Sequence, residues 1–167
     1  MRHTIVARVE DQPGVLNRIA SLFRKRNYNI ESLVVGHSET PGVSRMTFVV
    51  EGDDRVIEQM QKQLYKLVNV IEVWDVTQLP AVIRELALVR VACPSERRGE
   101  VTELVNLFRA RVVDVAPDSM IIEITGTEDK VEALLNLLQP FGVQEVIRTG
   151  RVAMVRGNHR SNGTPLL

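Results

Sequence analysis

The stretch EDQPGVLNRIASLFRKRNYNIESL, residues 10–33, is where the reading of the fold begins. It ends one apolar strand, breaks at Pro13-Gly14, runs an amphipathic helix and turns at Asn27 into a second strand. Pro13 stops the first strand because it has no N–H for a ladder, while its fixed φ suits a helix start. Val15, Ile19 and Leu22, beside Leu16, Ala20 and Phe23, recur at helical spacing and mark one apolar stripe. Arg24, Lys25 and Arg26 crowd the last turn, where cations meet the negative end of the macrodipole. Asn27 suits the left-handed position that closes many helices. At the start of the same helix the backbone N–H groups have no intrahelical acceptor. The segment from Asp11 to Leu16 is therefore a natural seat for a small carboxylate.

Outward from that stretch, residues 3–9 form a strand with Ile5, Ala7 and Val9 on one face. Residues 28–35 make a second strand, 36–42 a turn-rich connection and 43–50 a third strand, in which Met46, Phe48 and Val50 alternate with Arg45, Thr47 and Val49. Asp53 is a good N-cap for a helix over 54–67 with Val56, Ile57, Met60, Leu64 and Leu67 inward. Residues 70–76 supply a fourth strand. The order β-α-β-β-α-β predicts an α+β, ferredoxin-like domain, an antiparallel sheet with two helices on one face.

Past the proline-bearing segment 78–81 the pattern repeats at a spacing of roughly 80 residues. Strands are expected at 85–92, 111–115, 120–125 and 143–148, with 151–155 extending the last, and helices at about 99–108 and 128–138. The expected organisation is a first domain over 1–78, a linker over 79–84, a second ferredoxin-like domain over 85–157 and a mobile tail over 158–167. The second domain lacks a Pro-Gly-Val-Leu turn. That asymmetry points to one ligand-binding half and one half with another task.

Charge and composition narrow the function. The 21 basic and 21 acidic residues cancel, so no long-range field recruits nucleic acid or an anionic membrane. No apolar run approaches the ~18 residues of a membrane span, and no N-terminal signal region is visible, so a cytoplasmic protein is expected. A single cysteine, Cys93, permits neither an intramolecular disulfide nor a thiolate metal cluster. His3, His37 and His159 stand at the chain start, in a loop and in the tail, and nothing in their spacing pairs them with Cys93. Glu10-Asp11, Asp53-Asp54 and Glu128-Asp129 fall at helix starts, where negative charge complements the dipole. No metal-binding spacing and no glycine-rich phosphate loop occurs. Arg24 to Arg26 read as a solvated helix end, and Trp74 and Tyr65 as packing residues. Taken alone, Pro13-Gly14 could also be no more than a strand-to-helix turn.

At PGVLNRIASLFRKRNYNIESL the chain resembles the ACT family of amino-acid-sensing domains, and more closely the family of small, regulatory subunits of acetolactate synthase. That family's pattern, N-x-P-G-V-L-x-R, then L-F-x-x-R-G-Y-N-I-x-S-L, then S-R-M-T, falls on Pro13, Gly14, Val15, Leu16 and Arg18, on Leu22, Phe23 and Arg26, on Tyr28, Asn29, Ile30, Ser32 and Leu33, and on Ser44, Arg45, Met46 and Thr47. Later stretches such as RELALVRV, FRARVVDV and IIEITGTEDKVEALLNLL resemble it too, so the likeness spans nearly the whole chain. The resemblance implies a chain without a catalytic centre, cofactor or metal of its own. Its implied partner is the large catalytic subunit, which carries thiamine diphosphate, a divalent metal (Mg) and FAD, and which it activates. It further implies a homodimer that binds valine or another branched-chain amino acid and transmits feedback inhibition. The implied ligand residues are Asp11, Gly14, Val15 and Leu16, with Asn29 and Ile30 from the other protomer. Two positions depart from the pattern: Asp11 stands where Asn is usual, and Asn27 where Gly is usual. The Asp11 carboxylate loses an amide donor, repels a ligand carboxylate and attracts its ammonium. A ligand-responsive transcription regulator would need a helix-turn-helix and a basic face, and neither is visible.

Overall fold

The computed structural model describes residues 1–157; the expected tail at 158–167, with His159, lies outside the described residues. In chain order the first six elements are β1 (Arg2–Glu10), α1 (Val15–Lys25), β2 (Ile30–His37), β3 (Val43–Glu51), α2 (Asp54–Tyr65) and β4 (Val70–Asp75). They make a four-stranded antiparallel sheet in the order β2-β3-β1-β4. Ile5, Ala7 and Val9 of β1 and Met46, Phe48 and Val50 of β3 are buried with Val15, Ile19 and Phe23 of α1 and Ile57, Met60 and Leu64 of α2. The period-2 and period-3.6 stripes read from the sequence meet as one core. Asp53 caps α2 as expected, accepting the Val56 N–H at 2.8 Å.

The second set comprises β5 (Ala81–Ala92), α3 (Arg98–Leu107), β6 (Arg111–Val115), β7 (Ser119–Gly126), α4 (Glu128–Leu138), β8 (Val143–Arg148) and β9 (Val152–Val155). Its sheet runs β6-β7-β5-β8, with β9 also paired to β5. This is the first sheet's order repeated, so both units are βαββαβ and of ACT type.

Residues 1–82 group with the described residues from 151 on, and Ile83–Gly150 form the other unit. Two expectations change. Residues 81–84, read as linker, already belong to β5, because Pro80 immediately precedes the strand and so removes no ladder donor from it. Residues 151–155, read as an extension of the second domain, belong to the first unit. There the Arg45 guanidinium donates to the Ala153 carbonyl at 2.8 Å and the Arg156 N–H to the Pro80 carbonyl at 2.7 Å.

The repeat is finer than strand order. The β1–β4 register slips between Arg8 and Val9, and the β5–β8 register between Arg90 and Val91, an offset of 90 − 8 = 82. The β2–β3 slip at Ile30/Ser32 recurs in β6–β7 at Val112/Asp114, again 112 − 30 = 82. The two left-handed non-glycine residues among the described residues, Asn27 (φ 57) and Arg109 (φ 52), are also 109 − 27 = 82 apart. Each closes a helix by a Schellman motif. Tyr28 N–H reaches Phe23 O at 2.9 Å and Asn27 N–H reaches Arg24 O at 3.2 Å; Ala110 and Arg109 repeat this on Val105 and Asn106. Phe23 and Tyr28 add the hydrophobic contact of that motif, edge to face at 5.9 Å.

Asn tolerates this conformation, whereas Arg109 is strained in it by about 1–2 kcal/mol. Glycine there would relieve the strain and lose about 0.5–1 kcal/mol to unfolded-chain entropy. Arg109 is exposed, so little packing is lost. Arg109→Gly is expected to stabilise the chain by up to about 1.5 kcal/mol, read as a higher midpoint in urea. A lower midpoint would show that the Arg109 side chain holds something the torsion does not reveal.

Candidate functional site

The segment between β1 and α1 is a type II β-turn over Gln12, Pro13, Gly14 and Val15. Pro13 takes the second position, Gly14 the third with φ 86 and ψ −9, and the Val15 N–H closes the turn on the Gln12 carbonyl at 3.3 Å. The sequence reading placed Pro13 at the helix start. Instead Gly14 is the N-cap and α1 begins at Val15, because a left-handed residue cannot be helical. A Cβ on Gly14 would meet no atom within 4 Å, so torsion and not space requires glycine here.

Gly14 supplies no side-chain cap, and the first helical bond runs from the Arg18 N–H to the Gly14 carbonyl at 3.0 Å. The amides of Leu16 and Asn17 precede that bond and point out of the helix end without an intrahelical acceptor. The outward donors thus lie at the C-terminal end of the Asp11–Leu16 seat expected from sequence and one residue beyond it. Val15 spends its N–H in the turn and its side chain in the core. Leu16 is 47% exposed and lies next to those donors in sequence.

Asp11 is held by its backbone, its N–H donating to the Gly42 carbonyl at 2.9 Å. Its carboxylate meets the His37 imidazole, with Oδ2 and Nδ1 3.1 Å apart. His37 ends β2 beside Ser44, as Glu10 ends β1 beside Val43, so both lie at the same end of the sheet. Asn29 and Ile30 lie at the other end: Ile30 pairs with Val50, which pairs with His3. At ~3.3 Å per residue, β2 separates Ile30 from His37 by roughly 23 Å. Within one chain the structure therefore does not bring Asn29 and Ile30 to Asp11, Gly14, Val15 and Leu16. β2 is an edge strand, and register puts its Leu33 and Val35 on the face of Phe48 and Met46, yet they remain 38% and 44% exposed.

The Ser44 to Thr47 motif serves the framework. Met46 and Thr47 are buried, and the Arg45 guanidinium lies 5.5 Å from the Trp74 ring centroid. Burial lowers the Arg45 pKa, with Glu39 acting in the opposite sense. Tyr65 packs as expected: its hydroxyl donates to the Val73 carbonyl at 3.1 Å and accepts the Val73 N–H at 3.0 Å.

Three features were not legible. Asn69, nearly buried, accepts from the Arg18 guanidinium at 2.7 Å and donates to the Glu10 carboxylate at 2.8 Å. His37 joins Asp11 only through strand register. His3, also buried, contacts Asp75 across 72 residues at 2.7 Å, and Asp75 in turn holds the Thr77 hydroxyl. In each case the partners are too far apart in sequence for any spacing rule.

The 82-residue offset shows why the second unit differs. Asp11, Gly14 and Leu16 correspond to Cys93, Glu96 and Arg98. Glu96 lies in a short 3₁₀ turn that leads straight into α3, and no left-handed residue opens that helix. Arg98 instead donates to the Ala116 and Pro117 carbonyls, and Arg97 stacks on Phe141 at 4.1 Å. Cys93 is fully buried, and burial pushes its thiol pKa up against the opposing charges of Arg98 and Arg97. Among the described residues no group of three or more His, Cys, Asp or Glu is placed to hold a metal ion, and no helix is long and apolar enough to cross a membrane.

Fold and turn define a tandem of ACT-type modules in which the first, and not the second, opens its first helix through a left-handed glycine turn. A family described as the AHAS small subunit-like ACT domain matches residues 5–72, and one described as the small subunit of acetolactate synthase matches residues 84–157. A probable acetolactate synthase small subunit of Archaeoglobus fulgidus is 58% identical over 160 residues, 96% of this chain and 100% of that protein. The Aquifex aeolicus acetolactate synthase small subunit is 51% identical over 93% of this chain and 81% of its own length. The crystal structure of the small subunit from Thermotoga maritima superposes with a TM-score of 0.88 at 47% identity, covering 95% of this chain and 99% of that one. This chain belongs to the acetolactate synthase small-subunit family.

Gly14→Ala is expected to cost about 1–2 kcal/mol of stability, the penalty of a left-handed torsion for a residue with a Cβ. A chemical-denaturation midpoint unchanged by the substitution would mean that the turn can adopt another form.

Proposed function

We propose that this chain is the activating and effector-sensing partner of an acetolactate synthase catalytic subunit in branched-chain amino-acid biosynthesis, acting in the cytoplasm as a homodimer that binds valine. The observation that carries the reading is the full-length match to acetolactate synthase small subunits across both units. The geometry of the first unit supports it. The Leu16 and Asn17 amides, at the positive end of the α1 dipole, suit the valine carboxylate. Exposed Leu16, Leu33 and Val35 offer apolar surface to an isopropyl group.

The separation of the half-sites supports a dimer. Two β2 edges paired antiparallel about a two-fold axis would set Ile30 of each copy opposite His37 of the other. Asn29 and Ile30 would thereby approach the Asp11–Leu16 turn of the other copy. The pairing would also satisfy the unpaired β2 edge and cover Leu33 and Val35. Asn29 can both donate and accept toward the ligand's polar end. Asp11 attracts the ligand ammonium and repels its carboxylate, and His37, paired with it, modulates both effects.

Valine can shift the holoenzyme between active and inhibited states only through differential affinity for the two, and the coupling is reciprocal. Mixing this chain with an acetolactate synthase catalytic subunit is expected to raise acetolactate formation, and added valine to lower it again. Unchanged activity on mixing would refute the activating role. Asp11→Asn is expected to move the valine concentration for half-inhibition; an identical curve would remove Asp11 from the site. Sedimentation is expected to show a dimer tightened by valine.

A further inference from the structure

One side chain brackets the turn on which the effector reading depends. Asn69 lies between α2 and β4, 59 residues from Glu10 and 51 from Arg18 in sequence. Its amide nitrogen donates to Glu10 Oε2 at 2.8 Å, and its amide oxygen accepts from Arg18 Nη1 at 2.7 Å. Its backbone carbonyl also accepts the Glu10 N–H at 2.8 Å. A guanidinium only donates and a carboxylate only accepts, so the orientation of the amide follows from its two partners. Glu10 is the last residue of β1, two residues before the turn begins at Gln12, and Arg18 makes the first helical bond of α1 after it, to the Gly14 carbonyl. Asn69 is 8% exposed while Glu10 is half-buried and Arg18 exposed, so removing the amide would leave two charged groups without the partner that joins them.

We propose that Asn69 is a positioning residue for the effector turn: by holding Glu10 and Arg18 at a set separation it fixes the direction in which the Leu16 and Asn17 amides point. The proposal rests on the effector-binding reading above. Asn69 does not itself touch the ligand. It shortens the range of loop conformations over which the amides would otherwise be spread, and a ligand that binds only one of those conformations gains affinity in proportion to its population.

The test compares full-length wild type with Asn69→Ala by valine calorimetry, by activation of the catalytic subunit and by hydrogen exchange at the bonded amides of Asp11 and Arg18. Asn69→Ala is expected to exchange faster at both amides and to bind valine roughly tenfold more weakly, with activation at zero valine unchanged. The double variant Glu10→Gln with Asn69→Asp interchanges donor and acceptor while keeping an acceptor for Arg18, and is expected to recover most of the affinity. Met60→Ala, a core truncation in α2, controls for general destabilisation: it is expected to lower the melting temperature more than Asn69→Ala and leave valine affinity alone. Unchanged exchange and affinity in Asn69→Ala would overturn the proposal, as would an equal loss of affinity in Met60→Ala. Absence of heat from wild type with valine, leucine and isoleucine would instead sink the effector reading, while the exchange comparison would still decide whether Asn69 holds the turn.

Discussion

The left-handed torsion of Gly14 is the constraint from which the first unit follows. With φ at 86, the chain turns out of β1 through Pro13 and enters α1 at Val15 instead of running on as helix from the proline. That choice sets the rotation of α1, so that Val15, Ile19 and Phe23 face the sheet and the Leu16 and Asn17 amides face outward. The helix runs for 11 residues and is closed two residues on by a second left-handed residue, Asn27, and Tyr28 packs back on Phe23. Two torsions that a residue with an ordinary side chain avoids thus define where the helix starts, where it stops and which of its groups stay free.

The antiparallel sheet imposes a separation that no side chain can bridge. Residues at the start and end of β2 belong to opposite ends of the sheet, roughly 23 Å apart. A site drawing on both must therefore take them from two copies. Among the described residues, the same edge strand leaves one row of backbone groups unpaired and two apolar side chains exposed. An arrangement that joins the half-sites would also remove both liabilities, so effector binding and dimer formation share one physical surface in the proposed function.

The tandem repeat keeps one frame in both units and changes the turn that opens the first helix. Register slips and helix-closing motifs recur at an offset of 82, down to a strained Arg109 where the first unit has Asn27. The opening turn does not recur. Glu96 replaces the left-handed glycine and arginine side chains reach over the segment after it. Backbone irregularities in sheet register and helix closure persist in both halves, whereas the left-handed turn that opens α1 is present in one.

Local patterns in the sequence were sufficient for element order, the fold of both units and the position of the opening turn. Alternation, helical spacing, Asp53 as a cap and Asn27 as a stop all act over a few residues, and neighbouring residues carry that information. The extent of the linker was less legible, because Ala81 to Arg84 read as strand only once a partner strand is known. The Glu10–Asn69–Arg18 bridge, the contact of His37 with Asp11 and the placement of residues 151–157 with the first unit were decided by tertiary structure alone. Those contacts join residues tens of positions apart. Only the strand register and the closing of the core determine which of them meet.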